Sequence, residues 1–256
     1  MEECNMQPEL PVNPTSISKK LVHNVYFSLV LRTVLFLIAG LIFTGILALQ
    51  GSEQPFHDAE KWWPFQVIAA NLFTYFIIKG FLKKEGLSYK SLFQSPKDKN
   101  RKTVREYVIL FLAAIIGGAV PLYLFSYLLL GAIPPPDTHF QALPVGYAVI
   151  ALILFPLSNA LVETPTYIGY ALPRLQKVTG RMYTPILIAG FFLALQHIFL
   201  PIVLEADYML WRLFSFIPLA IILGIFYTKT KRLRPIVIIH FIIDLQLVSQ
   251  MFMNSI

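Results

Sequence analysis

The chain alternates long apolar runs with short polar breaks. Seven runs reach, or nearly reach, the roughly 20 apolar residues that cross a bilayer as a helix. They cover about 26–49, 64–82, 107–131, 144–172, 183–201, 208–228 and 235–254. The first run is too long for a signal-peptide core. Its end, Ala48-Leu49-Gln50-Gly51-Ser52, offers no small-residue cleavage site, so it reads as a retained span. Pro121, Pro156 and Pro218 fall inside runs and predict kinks, with the freed backbone groups satisfied by neighbouring helices. Trp62 and Trp63 open the second run and Trp211 the sixth, which suits headgroup-level anchors. No repeat, low-complexity tract or second domain interrupts the pattern. It predicts an all-α, polytopic membrane helix bundle of about seven helices. An eighth is expected if Leu87–Phe93 lies as a short interfacial helix. Residues 1–25 form a polar tail and 26–256 a single membrane domain.

Composition narrows the class. Of 256 residues, 56% are apolar and 14% charged, with a mean hydropathy of +0.64. An ordinary soluble domain carries about 25% charged residues. So few charges could not cover a soluble surface. A soluble enzyme, a nucleic-acid binder and a disordered chain are excluded. The single cysteine, Cys4, leaves no internal disulfide.

The net charge of +7 then reports orientation. Lys19 and Lys20 precede the first run. Lys79, Lys83, Lys84, Lys90, Lys97, Lys99, Arg101, Lys102 and Arg105 fill the next connection on that side. Arg174, Lys177 and Arg181 follow, then Lys229, Lys231, Arg232 and Arg234. The alternate connections are acidic or neutral: Glu53, Asp58 and Glu60, then Pro134-Pro135-Pro136-Asp137, then Glu205 and Asp207. Of the 21 basic residues, only Arg32, Lys61 and Arg212 fall elsewhere. Basic loops stay in the cytoplasm, so the N-terminus is expected inside and the C-terminus outside a cell membrane. Arg32 and Arg212 lie close enough to the ends of their runs to snorkel toward water.

Four ionisable residues do not fit that accounting. Groups that titrate inside a bilayer are functional candidates by default. His240 and Asp244 are four apart in an otherwise apolar stretch, hence on one helical face. The plain reading is a pair that locks two helices. His197 follows an apolar run and, alone, reads as a packing histidine. Glu163 precedes Pro165, which suits a helix start or a kink. Tyr167, Tyr170 and Arg174 follow at spacings that put them on its face. A carboxylate in apolar surroundings suits general acid or base chemistry. Together the four suggest one site drawn from three spans.

Their order and spacing resemble the CAAX-protease and bacteriocin-processing (CPBP, or ABI) family of intramembrane endopeptidases. That family shows Glu-Glu-x-x-x-Arg, then Phe-x-x-x-His, then His-x-x-x-Asn on successive helical regions. Here Glu163-Thr164-Pro165-Thr166-Tyr167-Ile168 resembles the first, Leu193-Ala-Leu-Gln-His197 the second and His240-Phe-Ile-Ile-Asp244 the third. The resemblance covers roughly 107–250, and Gly86-Leu-Ser-Tyr-Lys-Ser-Leu-Phe93 looks like the family's basic connector. It implies that Glu163 and His197 activate a water. His240 then helps stabilise the oxyanion with a partner four residues on, without a required metal or cofactor. The implied partners are the lipid bilayer and a membrane-associated peptide or protein, with no nucleic acid.

The chain departs from the pattern at three points. Thr164 replaces the second Glu and Ile168 the Arg. Those positions are i and i+4, so losing both reads as a removed ion pair that leaves no orphan charge. Asp244 replaces the Asn. An ionised Asp cannot donate to an oxyanion, but it can orient His240 as a donor.

Other readings remain at this point: a non-catalytic relative with an immunity or regulatory role, a zinc-dependent membrane hydrolase, and a proton-coupled transporter. Depth sets a requirement. Counted at about 1.5 Å per residue from the basic helix ends, Glu163 and Asp244 come out about 16 and 15 Å deep. His240 comes out near 9 Å and His197 near 24 Å on the same count. His197 must be brought inward for a site to form.

Overall fold

In the computed structural model, residues 19–94, 103–135 and 141–256 are described. Cys4 and the rest of 1–18, Lys97, Lys99, Arg101, Lys102, Pro136 and Asp137 lie outside them. The described chain folds as α1 (Lys19–Leu49), α2 (Pro55–Glu60), α3 (Trp63–Lys84), α4 (Thr103–Leu130), α5 (Val145–Thr164), α6 (Leu172–Thr179), α7 (Thr184–Leu195), α8 (Ala206–Thr230) and α9 (Arg234–Met253). The helix expected near Leu87–Phe93 is a 3-10 turn, Tyr89–Phe93. A π-helical turn, Pro165–Ala171, joins α5 to α6, so that 145–179 runs as one long helical element.

Among the described residues, six helical stretches are long and apolar enough to cross a membrane. The run expected over 183–201 is shorter. α7 tightens to a 3-10 turn at Gln196–Ile198 and the helix ends there. Pro201 explains the stop, because proline has no N–H and disfavours helical backbone in the residue before it. α1 starts at Lys19, seven residues ahead of the expected 26. The three internal prolines, Pro121, Pro156 and Pro218, sit inside α4, α5 and α8.

Contacts fix the two ends of the bundle. Arg174 forks onto Glu85 with Nε 3.0 Å and Nη2 2.5 Å from Oε2. Arg232 reaches Glu106 at 2.6 Å, and Arg234 donates to the Phe93 carbonyl. The basic connections therefore gather at one end. At the other, Gln141 donates to Glu60 and the Ser255 hydroxyl accepts from the Leu143 N–H. Burial pushes the Glu60 carboxyl above its ordinary value.

Two apolar clusters follow the same division. One joins Leu29, Ile78, Tyr170, Leu233 and Ile239 toward the basic end. The other joins Phe36, Trp63, Phe155, Leu200 and Met251 toward the opposite end. Lipid tails are as apolar as these side chains, so close packing, rather than exclusion from water, holds such helices together. Gly224 shows how close. A Cβ there would stand 2.8 Å from Ile186 Cγ2 of α7. Gly224→Val is expected to push α7 off α8 and cost about 1–3 kcal/mol. Thermal unfolding in detergent reads the loss, and an unchanged midpoint would remove the close-packing argument.

Candidate active site

Between the two apolar clusters lies a polar layer built by five segments. Arg32 comes from α1 and Asn71 from α3. Asn159, Glu163 and Thr164 come from α5. Gln196 and His197 come from the turn after α7, and His240 and Asp244 from α9. Each is flanked along its helix by members of both clusters: Arg32 lies between Leu29 and Phe36, and Asp244 between Ile239 and Val248.

Arg32 is the centre of this layer and is fully buried. It does not snorkel. Its Nη2 lies 3.1 Å from Glu163 Oε2 and 3.0 Å from Asn159 Oδ1. Its Nε donates to Gln196 Oε1 at 2.6 Å, and its Nη1 to Asn71 Oδ1. Phe36 stacks beneath the guanidinium. A buried charge persists in such surroundings only when paired and hydrogen-bonded.

Of the other expected residues, His240 closes on Glu163 and Asp244 on His240. His240 Nε2 stands 3.7 Å from Glu163 Oε1 and 3.3 Å from Asp244 Oδ2. Its Nδ1 is 2.7 Å from the Thr164 hydroxyl. The Asn159 amide donates to Asp244 Oδ2 at 3.0 Å. So Asp244 accepts from Asn159 and faces the His240 ring. Thr164, noted in the sequence only as a lost carboxylate, is a partner of His240. Ile168 is wholly buried in the apolar cluster, so the i, i+4 pair is absent without an orphan charge.

His197 is held by its own helix end. Its Nδ1 faces the carbonyls of Leu193 and Ala194 at 3.0 and 3.3 Å. Carbonyls only accept, so Nδ1 carries the proton and, in the neutral ring, Nε2 keeps its lone pair. Nε2 has no hydrogen-bond partner among the described residues. The ring lies flat on Phe216, centroids 3.7 Å apart.

Glu163, His197, His240 and Asp244 all line one cavity of about 730 Å³. Exposed Pro134, Gln250 and Asn254 line it too. They lie toward the end opposite the basic connections. His240 and Glu163 reach one level because the basic residues do not mark one plane. Arg174 is buried against Glu85, and the helix runs on to Thr179. Leu233, just before α9, packs on Gly169, where a Cβ would stand 2.9 Å from Leu233 Cδ2. α9 thus begins level with the π-helical turn, well inside the bundle, and carries His240 up to Glu163.

Other expectations change as well. Tyr167 donates to the Leu29 carbonyl, while Tyr170 and Arg174 serve Glu85, so they do not share Glu163's site. Trp63 and Trp211 are not headgroup anchors. Both are buried, and the Trp211 indole donates to the Leu122 carbonyl. Arg212 is also buried, with Nη2 on the Leu200 carbonyl. Among the described residues, no group of three or more His, Cys, Asp or Glu is arranged to hold a metal ion.

Fold and site define a polytopic membrane bundle with a carboxylate–histidine layer between its two apolar clusters. Residues 145–246 match the family model for type II CAAX prenyl endopeptidases, Rce1-like. The match supports a CPBP family membrane protease, the family that the three motifs resemble. No curated protein and no solved structure matches the chain.

Proposed function

We propose that the protein is an intramembrane endopeptidase that hydrolyses a peptide bond of membrane-associated peptides or proteins. The observation that carries this reading is the convergence of Glu163, His197, His240 and Asp244 on one cavity. Water held between Glu163 Oε1 and His197 Nε2 loses a proton to this pair as its oxygen attacks the peptide carbonyl. The proton then passes to the departing amine. His240 and the Asn159 amide supply donors to the carbonyl oxygen as it becomes an oxyanion. Asp244 positions both. Arg32 occupies Oε2 and leaves Oε1 for the water.

With the basic end in the cytoplasm, α1 starts inside, α9 ends outside, and the cavity's exposed rim faces outward. His197→Phe is the test, because phenylalanine keeps the stack on Phe216 and removes Nε2. Cleavage of a membrane-peptide library in proteoliposomes, read by mass spectrometry, is expected to fall about 10²–10⁴-fold. Cleavage at the original rate would remove His197 from the mechanism.

A second reading, a non-catalytic relative, is favoured by the ion pair on Glu163. This reading makes Arg32 and Glu163 a structural pair. It predicts that any cellular phenotype survives loss of the Glu163 charge.

A further inference from the structure

The cavity has a second polar group that hydrolysis does not use. Arg212 and Ser215, three residues apart on α8 and so on one face, line it beside Phe216. They are 6% and 2% exposed. Arg212 Nε and Ser215 Oγ have no hydrogen-bond partner among the described residues. Buried polar atoms in folded proteins nearly always have one. Among the cavity's lining residues the only carboxylates are Glu163 and Asp244, and both are engaged by Arg32, Asn159 and His240. Arg212 forms no ion pair among the described residues. A buried guanidinium calls for an anion, and its planar fork matches a carboxylate.

The spacing suits a peptide. His197 and Arg212 both contact the same ring: the His197 ring centre lies 3.7 Å from the Phe216 centroid and Arg212 Cζ 4.8 Å from it. The two are therefore no more than about 8.5 Å apart. An extended chain advances about 3.3 Å per residue. A carboxylate at Arg212 thus lies within a few residues of a bond beside His197.

We propose that Arg212 and Ser215 form a subsite for a carboxylate of the bound peptide, supplied by its free C-terminus or by an acidic side chain near the cleaved bond. The nature of the occupant rests on the peptidase reading, but binding can be measured without cleavage. Trp63 and Trp211 line the cavity and report occupancy by fluorescence. The full chain carrying Glu163→Gln, in nanodiscs, is titrated with three N-acylated tetrapeptides. One has a free C-terminus, one is its amide, and one is an amide with an internal glutamate. At least one acidic peptide is expected to bind tenfold or more tightly than the uncharged amide. Which of the two does so names the source.

Adding Arg212→Gln is expected to abolish the preference. Ser215→Ala is expected to weaken it several-fold, and Arg212→Lys to keep part of it. The last two keep the test decisive if Arg212→Gln does not fold. Equal binding of all three peptides, or a preference that survives loss of Arg212, overturns the subsite. A carboxylate preference in a wild-type protein that cleaves none of the peptides would leave the subsite standing and count against the peptidase reading. Cleavage without the preference would do the reverse.

Discussion

Glu163→Gln is expected to lower peptide hydrolysis about 10³-fold, within the range that a positioned general base contributes. The substitution is nearly isosteric. The Gln carbonyl still accepts from Arg32, so the polar layer keeps its shape. What disappears is the negative charge that takes a proton from water at Oε1. Arg32 loses its counter-charge but keeps its four acceptors, so the destabilisation should not exceed the about 3–5 kcal/mol that breaking a buried ion pair costs. Activity and stability are thereby separated: turnover collapses in a protein that still folds. The measurement pairs thermal unfolding in detergent with proteoliposome cleavage of membrane peptides. A folded Glu163→Gln protein that cleaves at the wild-type rate would exclude Glu163 as the base. A cellular phenotype that persists when cleavage is lost would select the non-catalytic reading.

The sequence disclosed the carboxylates and histidines of this layer because charge is so scarce in the apolar runs that each instance stands out. Glu163, His197, His240 and Asp244 were legible on that ground, and the family resemblance ordered them. The six long helices were legible from run length, whereas α7 was expected as a seventh span, α2 was not foreseen, and the helix expected near Leu87–Phe93 is a 3-10 turn. Arg32 was hidden by its position. Two turns into the first run, a long cationic side chain can reach water, and nothing local shows that Glu163 waits 131 residues later. Asn159 had a signal that went unused, since it lies four residues before Glu163 on the same helical face. Asn71 and Gln196 are neutral amides in apolar runs, which membrane helices use for interhelical hydrogen bonds. Depth misled for a physical reason. Basic residues mark a membrane boundary only when exposed, and Arg174 is buried with Glu85.

Arg32→Met is expected to destabilise the fold by about 3–5 kcal/mol, the cost of removing one partner from a buried ion pair. The guanidinium has no access to solvent and holds four residues from three other segments: Asn71, Asn159, Glu163 and Gln196. Methionine fills much of the volume but satisfies none of their oxygens, and it leaves the Glu163 carboxylate without its cation. Arg32→Lys keeps the charge but, lacking the planar fork, cannot reach all four oxygens. Its stability should fall between the two. The decisive variant is the double one. Arg32→Met with Glu163→Leu removes both charges, and buried pairs replaced together by apolar groups are often no less stable than the original. The double variant should therefore unfold at a higher temperature than Arg32→Met alone, while remaining inactive for want of Glu163. That pattern separates an arginine that neutralises the carboxylate from one that only fills space. If Arg32→Met unfolds with the wild type, the pair contributes nothing to the fold. If Arg32→Met and the double variant fall equally, the loss comes from packing and the three amides, and Glu163 does not depend on Arg32.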